Sequence, residues 1–206
     1  MRRLMMTAAG VALLGLSACD RTPPPGGEAT APGQAAATAA PAPAPAPAAD
    51  PELEQLKTVT PVDACALLTP DKLKTVYPDQ AFEVHQKVDP QMSGYVWDSR
   101  CVYWAGVGSI DFAKDAPTHT VEIFVATAAN EAKARSNLAS RAEMATTTSG
   151  YQPQAALGAN AYTVTDTGMA RLFFVKGQSE IQINVSDLDS PNAEKVKKAL
   201  ALAQAL

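Results

Sequence analysis

The sequence predicts an α+β domain in which helices pack on a central, twisted antiparallel sheet. Three observations lead to this prediction. Several segments alternate apolar and polar residues, as half-buried strands do. Short turns separate three consecutive strand-like segments near the C terminus, which is typical of antiparallel hairpins. Segments with helix signals stand before, between and after the strand groups, so the helices are expected to pack as a layer on the sheet.

Two helix starts are predicted at the beginning of the domain. Thr60 to Asp63 offers a hydroxyl N-cap, a proline at the first helical position and an acid three residues after the cap, and the helix that follows would carry Cys65. A second helix is predicted to start at Thr69 to Asp71 and to end at Pro78. We expect the folded part of the chain to begin near residue 51.

Strand patterns follow these helices. Phe82 to Val88 alternates like a half-buried strand, and Asp89 to Gly94 has the composition of a turn or loop. Tyr95 to Ala105 is rich in aromatic and β-branched residues and carries Cys101, so it is predicted to be a strand. Further strands are predicted at Val107 to Phe112 and at Thr118 to Ala126.

The C-terminal half repeats this organisation. Asn130 to Ala145 has helix-forming composition with a stripe of small apolar residues that suits close packing on a sheet. Strands are predicted at Ala161 to Thr165, Arg171 to Val175 and Glu180 to Val185. A final helix is predicted after Ser190 and Pro191, with its inward side formed by Val196, Ala199, Leu200 and Ala203.

The first nineteen residues have the layout of a secretory signal. Arg2 and Arg3 precede an apolar run from Leu4 to Leu16, which is too short for the ~20 residues of a spanning helix. The sequence Leu16-Ser17-Ala18-Cys19 resembles the lipobox of bacterial lipoproteins. This resemblance implies cleavage before Cys19, diacylglycerol on its sulfur and acylation of the new amino terminus. The alternatives are an ordinary signal peptide or an uncleaved anchor, with Cys19 incidental.

Residues 19–51 form a segment of proline, alanine, glycine and threonine that cannot bury enough apolar surface to fold. We expect a disordered linker with polyproline II character, acting either as a tether that holds the domain away from the membrane or as a neutral spacer. The predicted organisation is therefore a signal peptide at 1–18, a lipidated linker at 19–51 and one domain at 52–206. Asp20 weakly favours retention at the inner membrane, and the choice between inner and outer membrane stays open.

The charge of the chain restricts its partners. It carries 17 basic and 21 acidic side chains, a net charge of −4, without a cluster of basic and aromatic residues. This pattern argues against nucleic-acid binding and against electrostatic docking on anionic lipid. The acyl chains on Cys19 would then be the contact with the membrane.

Two cysteines remain after Cys19 is assigned to the anchor. Disulfides persist outside the cytoplasmic membrane, so Cys65 and Cys101 are expected to form one, closing a loop of about 35 residues. The alternative is a thiolate site for a metal or for redox chemistry. No Cys-x-x-Cys pair and no histidine at ligand spacing supports that alternative.

Three segments resemble small actinobacterial envelope lipoproteins of a family of unknown function. Asp63 to Pro70 is similar to their Cys-x-Leu-Leu-Thr motif, Cys101 to Trp104 to their second cysteine and following aromatic, and Ala156 to Tyr162 to a Gly-Leu-Gly-Asp-Ala-Ala-Tyr segment. Ala156 replaces the first glycine of that segment, and Asn160 stands where an acid is usual. The resemblance implies a Mog1/PsbP-like fold and the disulfide, and it implies no catalytic residue.

Motifs for catalysis and metal binding are missing from the sequence. Gly108-Ser109 lacks the second glycine of a nucleophile elbow. His85 and His119 lie on separate predicted strands without His-x-His or His-Glu-x-x-His pairing, so we expect no metal site and no cofactor. The candidate carboxylates are Asp98, Asp111 and Glu122. They would form an acid–base pair only if the fold brought them close together.

Aromatic residues concentrate in the second predicted strand and beside it, together with Phe112 further along the chain. Tyr95, Trp97, Tyr103 and Trp104 are a candidate groove for a protein, glycan or lipid ligand, or else core residues that shield the disulfide. We therefore expect a lipid-anchored, non-catalytic binding domain on the outer side of the cytoplasmic membrane. The alternative is an envelope enzyme with a dispersed active site that acts on cell-wall material.

Overall fold

The computed structural model describes residues 49–106 and 117–206. The predicted signal peptide, Cys19, the linker up to residue 48 and the strand predicted at Val107 to Phe112 lie outside this part of the chain. Within it, no helix is both long and apolar enough to cross a membrane.

Five α-helices, one short 3-10 helix (Ala155–Leu157) and seven strands are present in the described residues. The helices are α1 (Pro51–Lys57), α2 (Ala64–Leu67), α3 (Pro70–Lys74), α4 (Glu131–Ala145) and α5 (Asn192–Ala205). The strands are β1 (Glu83–Ser93), β2 (Val96–Ala105), β3 (His119–Ala128), β4 (Gln152–Pro153), β5 (Tyr162–Asp166), β6 (Met169–Lys176) and β7 (Ser179–Asp187).

The strands form a single antiparallel sheet in the order β1-β2-β3-β7-β6-β5-β4. Helices pack on both of its faces, which confirms the predicted α+β class. Consecutive strands are neighbours except across the α4 connection, where β7 rather than β4 pairs with β3. This crossover places β7 at the centre of the sheet.

The two faces of the sheet differ in how they are covered. We call one the core face: it carries Cys101, Ile123 and Ile183, and α2, α3 and α5 pack against it in one continuous apolar cluster. We call the other the open face: it carries Arg100, Phe124 and Gln182. Helix α4 covers the open face on one side, where it packs through a second apolar cluster of Leu138, Ala142, Tyr162 and Val164.

The disulfide joins the core face to its helices. Cys65 on α2 is bonded to Cys101 on β2, as predicted. The Tyr103 hydroxyl donates to the backbone carbonyl of Leu68 beside this bond. The chain before β1 is therefore fixed to the middle of β2 by a covalent bond and a buried hydrogen bond.

Helix α2 begins three residues later than predicted. Its N-cap is Asp63, whose carboxylate accepts from the backbone N–H groups of Cys65 and Ala66 at 2.8 and 3.3 Å. Thr60 is not the cap, because the residues after it are used by the sheet: the Val62 N–H donates to Thr127 Oγ1 and the Val62 carbonyl accepts from a serine of β2. Residues that are held in these contacts with the sheet cannot also form the first turn of a helix.

The first strand is longer than predicted. The segment Asp89 to Ser93, predicted as a loop, belongs to β1, and the turn falls at Gly94 and Tyr95. Pro90 is tolerated because β1 is an edge strand with a bulge between Val88 and Gln91. The predicted half-burial of β1 is wrong as well, since most of the strand is exposed and Val84 is 48% exposed.

Most other elements match their predictions. Thr69 caps α3, and Asn130 caps α4 by accepting from the Lys133 N–H at 2.9 Å. The predicted hairpins of β5, β6 and β7 are confirmed. Helix α1 and strand β4 were not predicted. In α5, no side chain caps the first turn. Two of the residues predicted to face inward, Val196 and Leu200, are partly exposed, whereas Lys195 and Leu202 are buried.

Candidate functional site

A groove lies on the open face of the sheet, beside α4. Its volume is about 450 Å³, within the range of roughly 300–1,000 Å³ that is usual for small-molecule sites. Its floor consists of two neighbouring cross-strand rows that run over β1, β2, β3 and β7. The first row is Gln91, Asp98, Ala126 and Glu180, and the second row is Val88, Arg100, Phe124 and Gln182.

The β1 bulge completes both rows. Val88 pairs with Arg100, and Gln91 pairs with Asp98, although Val88 and Gln91 are an odd number of residues apart. In an unbroken strand such residues would point to opposite faces. The extra residue of the bulge corrects the phase, so both side chains reach the groove. The proline segment predicted as a loop therefore shapes one wall of this site.

The second row is held by a chain of side-chain contacts. Arg100 donates to Glu122 and forms an ion pair with it, while its guanidinium lies 4.9 Å from the centre of the Phe124 ring. Asn184 donates to the other oxygen of Glu122 at 2.7 Å, and Gln182 donates to Asn184 at 2.8 Å. Arg100 and Gln182 are therefore positioned before any ligand arrives.

The first row contains a buried acid with few partners. Glu180 is 5% exposed, and its carboxyl lines the groove. Arg141 of α4, itself about half exposed, lies 3.3 Å from this carboxyl, which accepts no hydrogen bond from the residues that the structure describes. Burial raises the pKa of Glu180, Arg141 opposes this effect, and the charge of Asp98 adds to it. This carboxyl therefore keeps hydrogen-bonding capacity for a group that enters the groove.

Ala126 separates the two acids of the first row. It pairs with Asp98 on one side and with Glu180 on the other. Two strand spacings of ~4.8 Å put the Cα atoms of the acids about 10 Å apart. Because a methyl group is all that stands between them, space is left for a ligand group that contacts both carboxyls.

The four aromatic residues predicted to form a groove do not lie together. Tyr103 is fully buried on the core face under α2. Trp97 is on that face too, and its Nε1 donates to the Leu56 carbonyl at 3.1 Å, which holds α1 against the sheet. Both are packing residues, which matches the alternative interpretation of these aromatics.

The other two aromatics occupy separate places. Tyr95 is in the β1–β2 turn, where its hydroxyl donates to the Asp50 carboxylate at 2.7 Å and holds the pKa of that acid below its usual range. Trp104 lies on the opposite face from Trp97, and its ring stacks on His85 at 3.2 Å between centroids. The candidate aromatic groove is therefore corrected: alternation along β2 divides its members between two faces.

The remaining predicted candidates also lie apart. His119 contacts the Tyr77 ring on the core face, whereas His85 is two strands away on the edge strand β1 and stacks on Trp104 on the other face. Asp98 lines the groove, whereas the Glu122 carboxylate accepts hydrogen bonds from Arg100 and Asn184. Residues 49–106 and 117–206 contain no group of three potential metal ligands. Gly108-Ser109, Asp111 and Phe112 lie outside the described residues.

Sequence reasoning did not single out Glu180, Arg141, Arg100 or Gln182. The alternation from Glu180 to Val185 does place residues 180 and 182 on one strand face, so part of the signal was present. The sequence does not reveal the register that aligns them with Asp98 and Arg100. It also does not reveal that α4 buries Glu180.

Comparison with known proteins gives little further information. No family model matches the chain, and no curated protein matches it. Among solved structures, the extracellular domain of PknH from Mycobacterium tuberculosis is similar, with 13% sequence identity, a TM-score of 0.49, and coverage of 70% of this chain and 96% of that chain. An identity and a TM-score this low identify neither a family nor a function.

Proposed function

We propose that this protein is a lipid-anchored binding domain of the cell envelope, with the groove on the open face as its binding site. The anchor is Cys19 behind the signal sequence, and the chain up to α1 is its spacer. The observation that carries the binding role is the groove itself, where the side chains of Asp98, Arg100, Glu180 and Gln182 converge from neighbouring strands.

The physical reason is the hydrogen-bonding capacity that the fold leaves available in the groove. Glu180 has one ion pair with a half-exposed arginine, so its carboxyl can still accept hydrogen bonds. A ligand that donates to Glu180 would use this capacity. The fixed positions of Arg100 and Gln182 support the same role, because a pre-organised site loses less entropy when the ligand binds.

One observation favours a second candidate, an envelope hydrolase. Two carboxyls, Asp98 and Glu180, line the same groove, and the raised pKa of Glu180 is a property of general acids. Arg141 weakens this candidate, because its charge favours the ionised form of Glu180. Release of product from a bound ligand by the wild-type chain, and its loss in Glu180→Gln, would favour the enzyme.

The binding role can be tested by filling the groove. The full chain in detergent is heated with separated lipid, glycan and peptide fractions of an envelope extract, and unfolding is followed by fluorescence. At least one fraction should raise the Tm of the wild type, because a ligand that binds the folded state stabilises it. Ala126→Trp places a large ring on the groove floor and should remove the shift.

The matched control is Ala193→Trp, which adds the same ring at an exposed position of α5. It should keep the Tm shift of the wild type. The binding role fails if no fraction stabilises the wild type, or if Ala126→Trp responds as the wild type does.

The anchor needs a test of its own. Cells expressing the full chain are grown with an alkyne fatty acid, and the label is read after electrophoresis. The wild type should be labelled and should sediment with membranes, whereas Cys19→Ala should lose the label. A wild-type chain without label would contradict the lipid anchor, but it would not contradict the proposal that the groove binds a ligand.

A further inference from the structure

We propose that the ligand class of the groove is a neutral saccharide. This inference rests on the proposed function, because it assumes that the groove binds a ligand. It follows from the distribution of donors, acceptors and flat apolar surface over the two rows of the floor.

The first row requires a ligand with hydrogen-bond donors. Glu180 is nearly fully buried with one cation 3.3 Å away, and Asp98 lines the same row beyond Ala126. Carboxylates accept hydrogen bonds and, when ionised, cannot donate them. A ligand that spans this row must therefore bring donors to both ends.

The second row requires acceptors from the same ligand. Arg100 has five N–H donors, of which the contacts with Glu122 use those on Nε and one terminal nitrogen. Gln182 adds an amide with both a donor and an acceptor group. A hydroxyl is donor and acceptor at once, so a chain of hydroxyls can satisfy the carboxyls of one row and the guanidinium of the next.

The middle of the groove floor has two apolar side chains. Phe124 and Ala126 are neighbours on β3, one in each row, and the Arg100 guanidinium lies over the Phe124 ring. A pyranose ring has a flat face of C–H groups with hydroxyls around its edge. Its shape and its polarity both correspond to this arrangement of apolar centre and polar ends.

Other ligand classes fit the groove less well. An acyl chain would cover Glu180 and Asp98 with hydrocarbon and leave both carboxyls without partners, at a high cost in free energy. An extended peptide binds a sheet by pairing its backbone with a free edge; β1 has one, but a peptide paired there would lie beside β1 and not across the rows of the groove floor. A phosphate or another anion would approach the two carboxyls of the first row.

Saturation-transfer NMR on the full chain tests this class directly. The neutral probes are cellotetraose, chitotetraose, maltotetraose and mannotetraose, and the comparison probes are myristate, tetra-alanine and inorganic phosphate. At millimolar concentration, at least one neutral tetrasaccharide should receive saturation from the protein. Glu180→Ala should weaken its binding about tenfold or more, the effect of losing a hydrogen bond to a charged group.

Three further variants serve as controls for the measurement. Ala126→Trp should abolish the transfer by filling the floor, and Ala193→Trp should keep it. Glu194→Ala removes an exposed acid of α5 and should leave the affinity unchanged, which separates a local contact of Glu180 from a general effect of charge.

The failures of the two proposals can be told apart. If tetra-alanine, myristate or phosphate binds in an Ala126→Trp-sensitive way and no tetrasaccharide does, the saccharide class is overturned and the binding groove stands. If a tetrasaccharide binds equally to Ala126→Trp, it binds elsewhere and the inference is overturned. If neither the probes nor the envelope fractions bind, both proposals fail.

Discussion

Strand β7 carries two buried carboxyls whose surroundings are opposite in kind. Asp187 is on the core face and is 1% exposed, with Lys198 Nζ at 2.6 Å and the Tyr77 hydroxyl donating to it at 3.3 and 3.4 Å. Glu180 is on the open face and is 5% exposed, with one ion pair at 3.3 Å. The two acids thus have similar burial and very different numbers of partners.

This difference separates a structural acid from an acid available to a ligand. Asp187 joins three elements, because Tyr77 follows α3 and Lys198 belongs to α5, and the ammonium also lies 4.6 Å from the centre of the Tyr77 ring. Burial and the charge of Asp187 both raise the pKa of Tyr77, so its hydroxyl stays a donor. Asp187 has two side-chain partners within the fold, whereas Glu180 has one and lines the groove.

Removing the cation of the completed site should have the largest effect. Lys198→Met leaves Asp187 buried without its ion pair and should lower the free energy of unfolding by about 3–5 kcal/mol. The matched control is Lys197→Met, which removes an exposed lysine one position earlier and should change it by less than about 0.5 kcal/mol. Urea unfolding measures both, and equal effects would contradict a structural role for Asp187.

The disulfide also belongs to the core face. Replacing Cys65 and Cys101 together by alanine should lower the free energy of unfolding by about 3–4 kcal/mol, because the open loop gains entropy in the unfolded chain. Guanidinium unfolding of the variant and of the wild type, with and without reductant, measures this loss. A wild type whose stability does not change on reduction would contradict the assignment.

Local signals were sufficient to predict much of the fold. The extent of α4, the alternation of β3 and the C-terminal hairpins depend on patterns of consecutive residues, and they were predicted with small errors at their ends. The errors lie where a contact with a residue far away in the sequence determines the local structure. Val62 is kept out of α2 by Thr127, and Pro90 is kept in β1 by pairing around it with β2.

The candidate site was predicted poorly for the same reason. The disulfide was predicted from the signal-like N-terminal sequence and the small number of cysteines, which are both read directly from the sequence. The groove depends on cross-strand neighbours such as Asp98, Ala126 and Glu180, which are far apart in sequence. Trp97 and Trp104 were grouped because they are close in sequence, but alternation sends them to opposite faces.

Removing the cation of the open face should cost much less than Lys198→Met. Arg141→Met takes away the ion pair of Glu180, but the arginine is half exposed and water reaches the groove, so the loss should be below about 1 kcal/mol. Urea unfolding under the same conditions gives the comparison. A loss as large as that of Lys198→Met would make Glu180 a structural acid and remove the contrast between the two faces.

The smallest expected effect is the pH dependence of stability that comes from Glu180. The folded-state pKa of Glu180 is raised above its ordinary value of 4.5, so at neutral pH its ionised form is less favourable in the folded protein than in the unfolded chain. As the pH falls toward 4.5, the folded state binds this proton first and the penalty disappears. Glu180→Gln has no such penalty, so its stability relative to the wild type should be greatest at neutral pH and should decline on acidification. Urea unfolding of both chains across this range measures the difference. A difference that grows on acidification would show that the fold, rather than a ligand, satisfies the ionised carboxyl.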